Sequence, residues 1–349
     1  MAYSTIVKPS DYFNTLLYTG NGNVGHAITG VGFQPDFVWL KERSSTSNHQ
    51  LGDAVRGATK YIQSNVTDAD GTDSNRFSSF NSDGFTQGAN NGVNESGQTY
   101  ASWNWKGNGA GSTNNDGNRT STVSASTTSG FSIVRYQGNN SNNQTIGHGL
   151  GVAPKMIIIK DLTTAFDWIV YNKTITAAKH LHLNTTAEAV SDNGMFNGVE
   201  PTASVFNIHA NNDVNKANDY FIAYCFAEKV GYSKIGSYTG NGNADGPFVY
   251  TGFKPAFILS KRTDAAAGWV LFDNKRLGYN GGNYWLDPQA NNADATDATG
   301  MFDQLANGFK IRSSFGSRNS DGGTYIYMAF AANPLVANSG TDGVPATAR

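Results

Sequence analysis

The sequence predicts an all-β protein: three tandem antiparallel β-sandwich-like repeats, lectin- or jelly-roll-like, of about 100 residues each. Three observations carry that expectation. The composition is poor in helix formers, with 15% of residues charged and only five glutamates among 27 acidic residues. Globular chains usually run near a quarter charged, and scarce Glu, Lys and Arg leave surface helices without their usual residues. Val, Ile, Thr, Tyr, Phe and Trp beside 40 glycines and many asparagines favour short strands and tight turns. Next, one pattern returns three times: Tyr18-Thr-Gly-Asn-Gly-Asn23, Tyr136-Gln-Gly-Asn-Asn140 and Tyr238-Thr-Gly-Asn-Gly-Asn243. Last, each copy reaches a proline (Pro35, Pro154, Pro255) followed by an apolar strand and closes on an aromatic one.

Along the chain, these signals divide it into a first β repeat (1–106), a Gly/Asn/Ser/Thr linker (107–129), a second repeat (130–230) and a third (231–335). A small, polar C-terminal tail (336–349) follows. The linker reads as flexible or extended, and the tail as too polar to fold alone. The strands after the prolines are Phe37–Arg43, Met156–Lys160 and Phe257–Arg262. Apolar on both faces, they suggest central strands. A turn of about seven residues leads into a second strand, which makes a hairpin. The closing strands are Tyr100–Trp105, Phe221–Phe226 and Tyr325–Phe330.

Within each hairpin the chemistry-bearing residues recur at fixed offsets from the proline. Six residues on stand Lys41, Lys160 and Lys261; fourteen on, His49, Trp168 and Trp269; eighteen on, Asp53, Asn172 and Asp273. Lysine and aromatic fall opposite each other on one face. Two readings follow. A snorkelling lysine would cover the tryptophan with its stem and reach water with its ammonium. Alternatively, Lys160, Trp168 and Asn172, with Lys261, Trp269 and Asp273, line a ligand site. A second candidate surface is the loop Tyr279-Asn-Gly-Gly-Asn-Tyr-Trp285, where Tyr279, Asn283, Tyr284 and Trp285 would offer stacking and amide contacts suited to sugar rings. The alternative there is that Tyr284 and Trp285 open a buried strand matching Tyr61-Ile62.

Other motifs are weaker. Gly20-Asn-Gly-Asn-Val-Gly25 spells a dinucleotide fingerprint, but no helix can follow it, so it reads as a turn. Asp68-Ala-Asp-Gly-Thr-Asp73 begins like a calcium loop yet has Ser79 where the bidentate Glu belongs, so it reads as a solvated acidic loop. His180 and His182 share a strand face, half of a metal site, and three such pairs on a threefold axis would supply six nitrogens. The plainer reading of that pair is surface. No nucleophile elbow, zinc-protease helix or phosphate loop appears, and Cys225 lies in a dense apolar strand as an inert thiol. No cofactor is implied, and no enzyme is expected. The net charge of −2 gives no basic footprint for nucleic acid. There is no apolar run long enough for membrane insertion. The start, Met1-Ala-Tyr-Ser4, has no secretory pattern, and the single cysteine fits a reducing cytosol.

Several stretches resemble a known family. They are Met1-Ala-Tyr-Ser-Thr-Ile6, Asp11–Gly22, Ile28–Lys41, Arg56-Gly-Ala-Thr-Lys60, Phe80–Phe85 and Ile146–Lys155. They are similar to virion structural proteins, often labelled tail-fibre-like, of marine tailed bacteriophages of the cyanophage and pelagiphage type. That resemblance implies a non-enzymatic virion component made in the bacterial host cytoplasm. Its expected role is a tail-fibre or receptor-binding protein contacting other virion proteins and host cell-surface carbohydrate. The alternatives are a capsid-attached decoration or fibre protein, and a polysaccharide depolymerase. Such proteins commonly form homo-oligomers, with a trimer favoured.

Overall fold

A computed structural model describes residues 4, 6–276, 283–296 and 301–335. The chain is nearly all β, in antiparallel sheets. Its principal strands in the first segment are β1 (Phe13–Thr19), β2 (Phe37–Glu42), β3 (Gln50–Asp53) and β4 (Thr99–Trp105). The tract that follows carries β5 (Ser112–Asn114) and β6 (Ser121–Ser126). The second segment has β7 (Phe131–Gln137), β8 (Met156–Asp161), β9 (Ile169–Asn172), β10 (Lys179–His182), β11 (Val190–Ser191) and β12 (Tyr220–Phe226). The third has β13 (Ser233–Thr239), β14 (Phe253–Arg262), β15 (Val270–Asp273) and β16 (Thr324–Pro334).

One strand order occurs in all three segments. The sheets run β1-β4-β2-β3, β7-β12-β8-β9 within an eight-stranded sheet, and β13-β16-β14-β15. Registers correspond as well. Phe37 lies opposite Trp105 and Asp53, Met156 opposite Phe226 and Asn172, and Phe257 opposite Phe330 and Asp273. Residues 107–129, expected as a linker, instead belong to the second sheet: β5 and β6 pair with each other and β6 with β7. The cause is local. Val123 is buried in the second segment's core, and the Ser121 hydroxyl donates to the Gly147 carbonyl at 3.0 Å.

Period-two alternation explains why the central strands are apolar on both faces. One face of each sheet packs into a single shared core, with Phe37, Trp39 and Trp105 from the first segment. Met156, Tyr224 and Phe226 from the second and Phe257, Met328 and Phe330 from the third complete it. The opposite face covers a local core: Val38 and Leu40 with Phe77 and Phe85, Ile157 and Ile159 with Phe206, Ile258 and Phe272 with Phe302 and Phe309. A small sheet closes each local core, for instance His26–Thr29 with Gly84–Gln87. Each segment is thus a sandwich whose outer core is its own and whose inner core belongs to all three.

The Tyr-x-Gly-Asn signature also acquires a physical cause. One-turn helices α1 (Asn91–Asn94), α2 (Asn212–Asn215) and α3 (Gly316–Asn319) each end on a buried asparagine. The Oδ1 atoms of Asn94, Asn215 and Asn319 accept the backbone N–H of Asn21, Asn139 and Asn241 at 2.8–2.9 Å. The tyrosine hydroxyls of Tyr18, Tyr136 and Tyr238 donate to carbonyls of the same helices. Between them, a Cβ on Gly20, Gly138 or Gly240 would come within 2.3 Å of a backbone oxygen, so no side chain fits.

Candidate functional site

The recurrent lysines sit at the hairpin ends, where the strand register continues to the aromatics. Ile159 pairs with Ile169 and Ser260 with Val270, which brings Lys160 opposite Trp168 and Lys261 opposite Trp269. The lysines do not snorkel: Lys41, Lys160 and Lys261 are fully buried. Each ammonium turns back to the carbonyl of the next residue. Lys160 Nζ donates to Asp161 at 2.7 Å, Lys261 Nζ to Arg262 at 2.9 Å, and Lys41 Nζ to Glu42. These turn carbonyls supply what water would have supplied. Burial holds all three lysines down to about 8; neighbouring acids such as Glu42 and Asp161 oppose it at Lys41 and Lys160, while Arg262 adds to it at Lys261.

The aromatics fourteen residues past each proline tie the segments together. Trp168 Nε1 donates to Gln63 O in the first segment at 3.0 Å, and Trp269 Nε1 to His182 O in the second at 2.8 Å. His49 completes the set. Its Nδ1 accepts from Trp39 Nε1 at 2.9 Å, leaving Nε2 as the donor to Asp287 O of the third segment at 3.1 Å. Backbone bonds repeat the cycle in the other direction: Asp70 N–H to Leu162 O, Ala189 to Thr263 and Asp294 to Arg43, at 2.8–3.0 Å. The first segment binds the second, the second the third, and the third the first. The ring is closed.

The residues eighteen past the proline sit at the same joints. Asp53 accepts from Arg56 Nε at 2.6 Å and from the Tyr224 hydroxyl of the second segment at 2.8 Å. Asp273 accepts from Arg276 Nε at 2.6 Å and from Trp103 Nε1 of the first segment at 3.0 Å. Both arginines reach a second carboxylate, Asp70 at 2.8 Å and Asp294 at 2.7 Å. Asn172 departs from the pattern, and so does its neighbour: Ile175 stands where Arg56 and Arg276 stand. Charge and counter-charge are lost together, and Asn172 Oδ1 caps Thr174 instead. Lys160, Trp168, Asn172, Lys261, Trp269 and Asp273 are therefore all interior rather than around an open ligand site.

The remaining candidates separate. Tyr279 lies outside the described residues. Asn283 is buried, with Oδ1 accepting the Phe302 N–H at 3.1 Å. Tyr284–Trp285 forms a two-residue strand paired with Ala295–Thr296, half-buried, with Arg318 Cζ 4.9 Å from the Trp285 ring centre and Arg43 Cζ 5.8 Å from that of Tyr284. The bridges Leu51–Ile62 and Leu271–Leu286 align Ile62 with Leu286, so Tyr61 corresponds to Trp285, one residue off the expected match. His180 and His182 stand ring to ring at 5.0 Å, and burial holds His180 down to about 4. Among the described residues, no group of three or more His, Cys, Asp or Glu is placed to hold a metal ion, so the pair gains no further ligand. Asp70, in the acidic loop, is used as an ion-pair partner of Arg56 and Lys60.

Two of the solvent-open clefts lie at seams between segments. A cleft of about 370 Å³ lies between the first and second segments, lined by Arg56, Lys60 and Asp70 on one side and Arg135, Thr163 and Tyr220 on the other. A cleft of about 440 Å³ takes the corresponding place between the second and third, where Ser237 and Thr324 replace Arg135 and Tyr220. The first cleft was not singled out from the sequence. Its available signal is a lone arginine inside the apolar strand Phe131-Ser-Ile-Val-Arg-Tyr-Gln137.

A family model for a domain of unknown function, DUF7483, matches residues 8–334, nearly the whole chain. The chain belongs to the DUF7483 family. The match runs through all three sheets, so the closed ring lies within this one family domain. No curated protein and no solved structure matches the chain.

Proposed function

We propose that this DUF7483 chain is a non-enzymatic structural protein of a bacteriophage particle, exposed on its surface as a tail-fibre or receptor-binding component that contacts host glycan. The observation that carries the reading is the closed ring. The recurrent aromatics, with Asp53 and Asp273, are consumed in joints between segments, which makes one stiff body instead of three flexibly linked units. Such a body presents Asn-, Gly-, Ser- and Thr-rich turns and open clefts between its segments outward, a form suited to contact. The resemblance of most of the chain, densest over residues 1–160, to tail-fibre-like virion proteins points the same way.

The test is adsorption. Purified protein added to host cells ahead of phage should reduce adsorption in a dose-dependent way. Undiminished adsorption at a saturating dose would remove the receptor-binding role. The capsid-decoration reading would then stand if the protein still sediments with intact particles.

A further inference from the structure

Among the described residues, the seam between the first and second segments carries one cation with no carboxylate partner. Arg56 is buried and spent on Asp53 and Asp70, and Lys60 shares Asp70 at 3.1 Å. Three cations thus face two carboxylates. The surplus rests on Arg135, for which no carboxylate partner is found among the described residues. Its guanidinium is not loose. It lies over the Tyr220 ring at 4.0 Å, a stack set by strand register: Gln137 pairs with Tyr220 and Arg135 with Ile222, so Arg135 and Tyr220 are diagonal neighbours on one face. The same face continues inward through Ile133 and Ile222 into the shared core. The cleft is where that core opens to water.

With its Cζ over the ring, the guanidinium has no side-chain hydrogen bond among the described residues, and its N–H fork is suited to a bidentate carboxylate. Tyr220 is 40% exposed and offers apolar ring surface beside the cation. The Thr163 hydroxyl, which accepts the Tyr220 N–H at 3.0 Å, adds a polar group on the same wall. A volume of about 370 Å³ is within the range of small-molecule sites and suits about one sugar residue. The second seam supplies an internal contrast. There Ser237, Thr324, Ala189 and Ile175 stand in place of Arg135, Tyr220, Asp70 and Arg56, so the volume is kept and the fork is absent.

We infer that the cleft at the first seam binds the carboxylate of an acidic sugar residue through Arg135, with the pyranose ring against Tyr220. The sugar assignment rests on the glycan-contact reading above; the carboxylate assignment rests on the cleft alone. The experiment is calorimetric titration of the full chain with trigalacturonate, its methyl ester and acetate. Trigalacturonate is expected to bind, the methyl ester at least tenfold more weakly, and acetate only at far higher concentration. Arg135→Gln should weaken trigalacturonate at least tenfold with an unchanged melting temperature, and Ser237→Ala at the second seam should leave binding unaltered.

Equal binding of the methyl ester, or full binding by Arg135→Gln, would overturn the site. Acetate binding as tightly as trigalacturonate would overturn its sugar specificity. No binding of trigalacturonate would overturn the inference while leaving the virion proposal to its own test, because this titration needs neither phage nor host.

Discussion

Replacing Asp53 by asparagine should be among the most damaging isosteric changes available in this fold. The carboxylate receives the backbone N–H of Val55 at 3.1 Å and of Arg56 at 2.9 Å, Arg56 Nε at 2.6 Å and the Tyr224 hydroxyl at 2.8 Å. Asparagine keeps one oxygen for the backbone donors but turns an amide NH₂ toward two further donors. Arg56 is left buried with Asp70 alone. Breaking such a buried pair from one side costs about 3–5 kcal/mol, and Arg56→Ile should cost about the same by orphaning Asp53. The double variant reproduces what the second segment already has, Asn172 with Ile175. Removing both partners of a buried pair is often nearly neutral, so the double variant should recover at least about 2 kcal/mol of the summed losses. Urea unfolding followed by tryptophan fluorescence measures all three. Additivity within about 0.5 kcal/mol, or an Asp53→Asn loss below about 1 kcal/mol, would refute the argument that the joint is an ionic unit.

Other expectations follow from the same joints. Trp269→Phe removes the indole donor to the part-buried His182 O, a loss of about 1 kcal/mol; no change in urea midpoint would contradict the tie. Each buried lysine titrates near 8 when folded and near its ordinary value unfolded, so the unfolded chain binds more protons between those limits and stability rises with pH there. Lys160→Met should therefore be more stable than wild type at pH 7.5, and the gap should narrow by about 2 kcal/mol by pH 9.5; a constant gap would show the ammonium to be solvated. On the acid side, His180 folds neutral and titrates near 4, so its contribution is present above about pH 6.5 and lost as pH falls toward 4. His180→Phe should flatten the acid limb of the stability profile, and an unchanged limb would assign that loss to other groups.

Strand identity was legible in the sequence because alternation and turn chemistry are local. Phe37-Val-Trp-Leu40 and Met156-Ile-Ile-Ile159 announce strands buried on both faces, and the hairpins after them follow from spacing. What covers the second face was not legible. Apolar residues at 37, 39, 156, 158, 257 and 259 are equally compatible with separate sandwiches and with the shared core they form. The lysines misled for a related reason: their acceptors are backbone carbonyls of the adjoining turn, which no side-chain pattern reveals. The tract 107–129 misled by composition, since Ser and Thr serve in the edge strand β5 and in β6 beside it, whose Val123 enters a core. One clue was in reach. Asp53 with Arg56, Asp273 with Arg276 and Asn172 with Ile175 change together, as partners in a buried pair must. Arg135 gave a fainter sign, a cation where an apolar strand has no place for one unless the face opens to solvent.

The proposed role places the protein on the outside of a phage particle. Immunogold labelling of purified, intact particles with antibody against the full chain tests it most directly. Gold is expected at a fixed external position, at the tail tip or fibres for the receptor-binding role and over the capsid for the decoration role. Particles that carry no label, with the protein found only in soluble lysate, would contradict it.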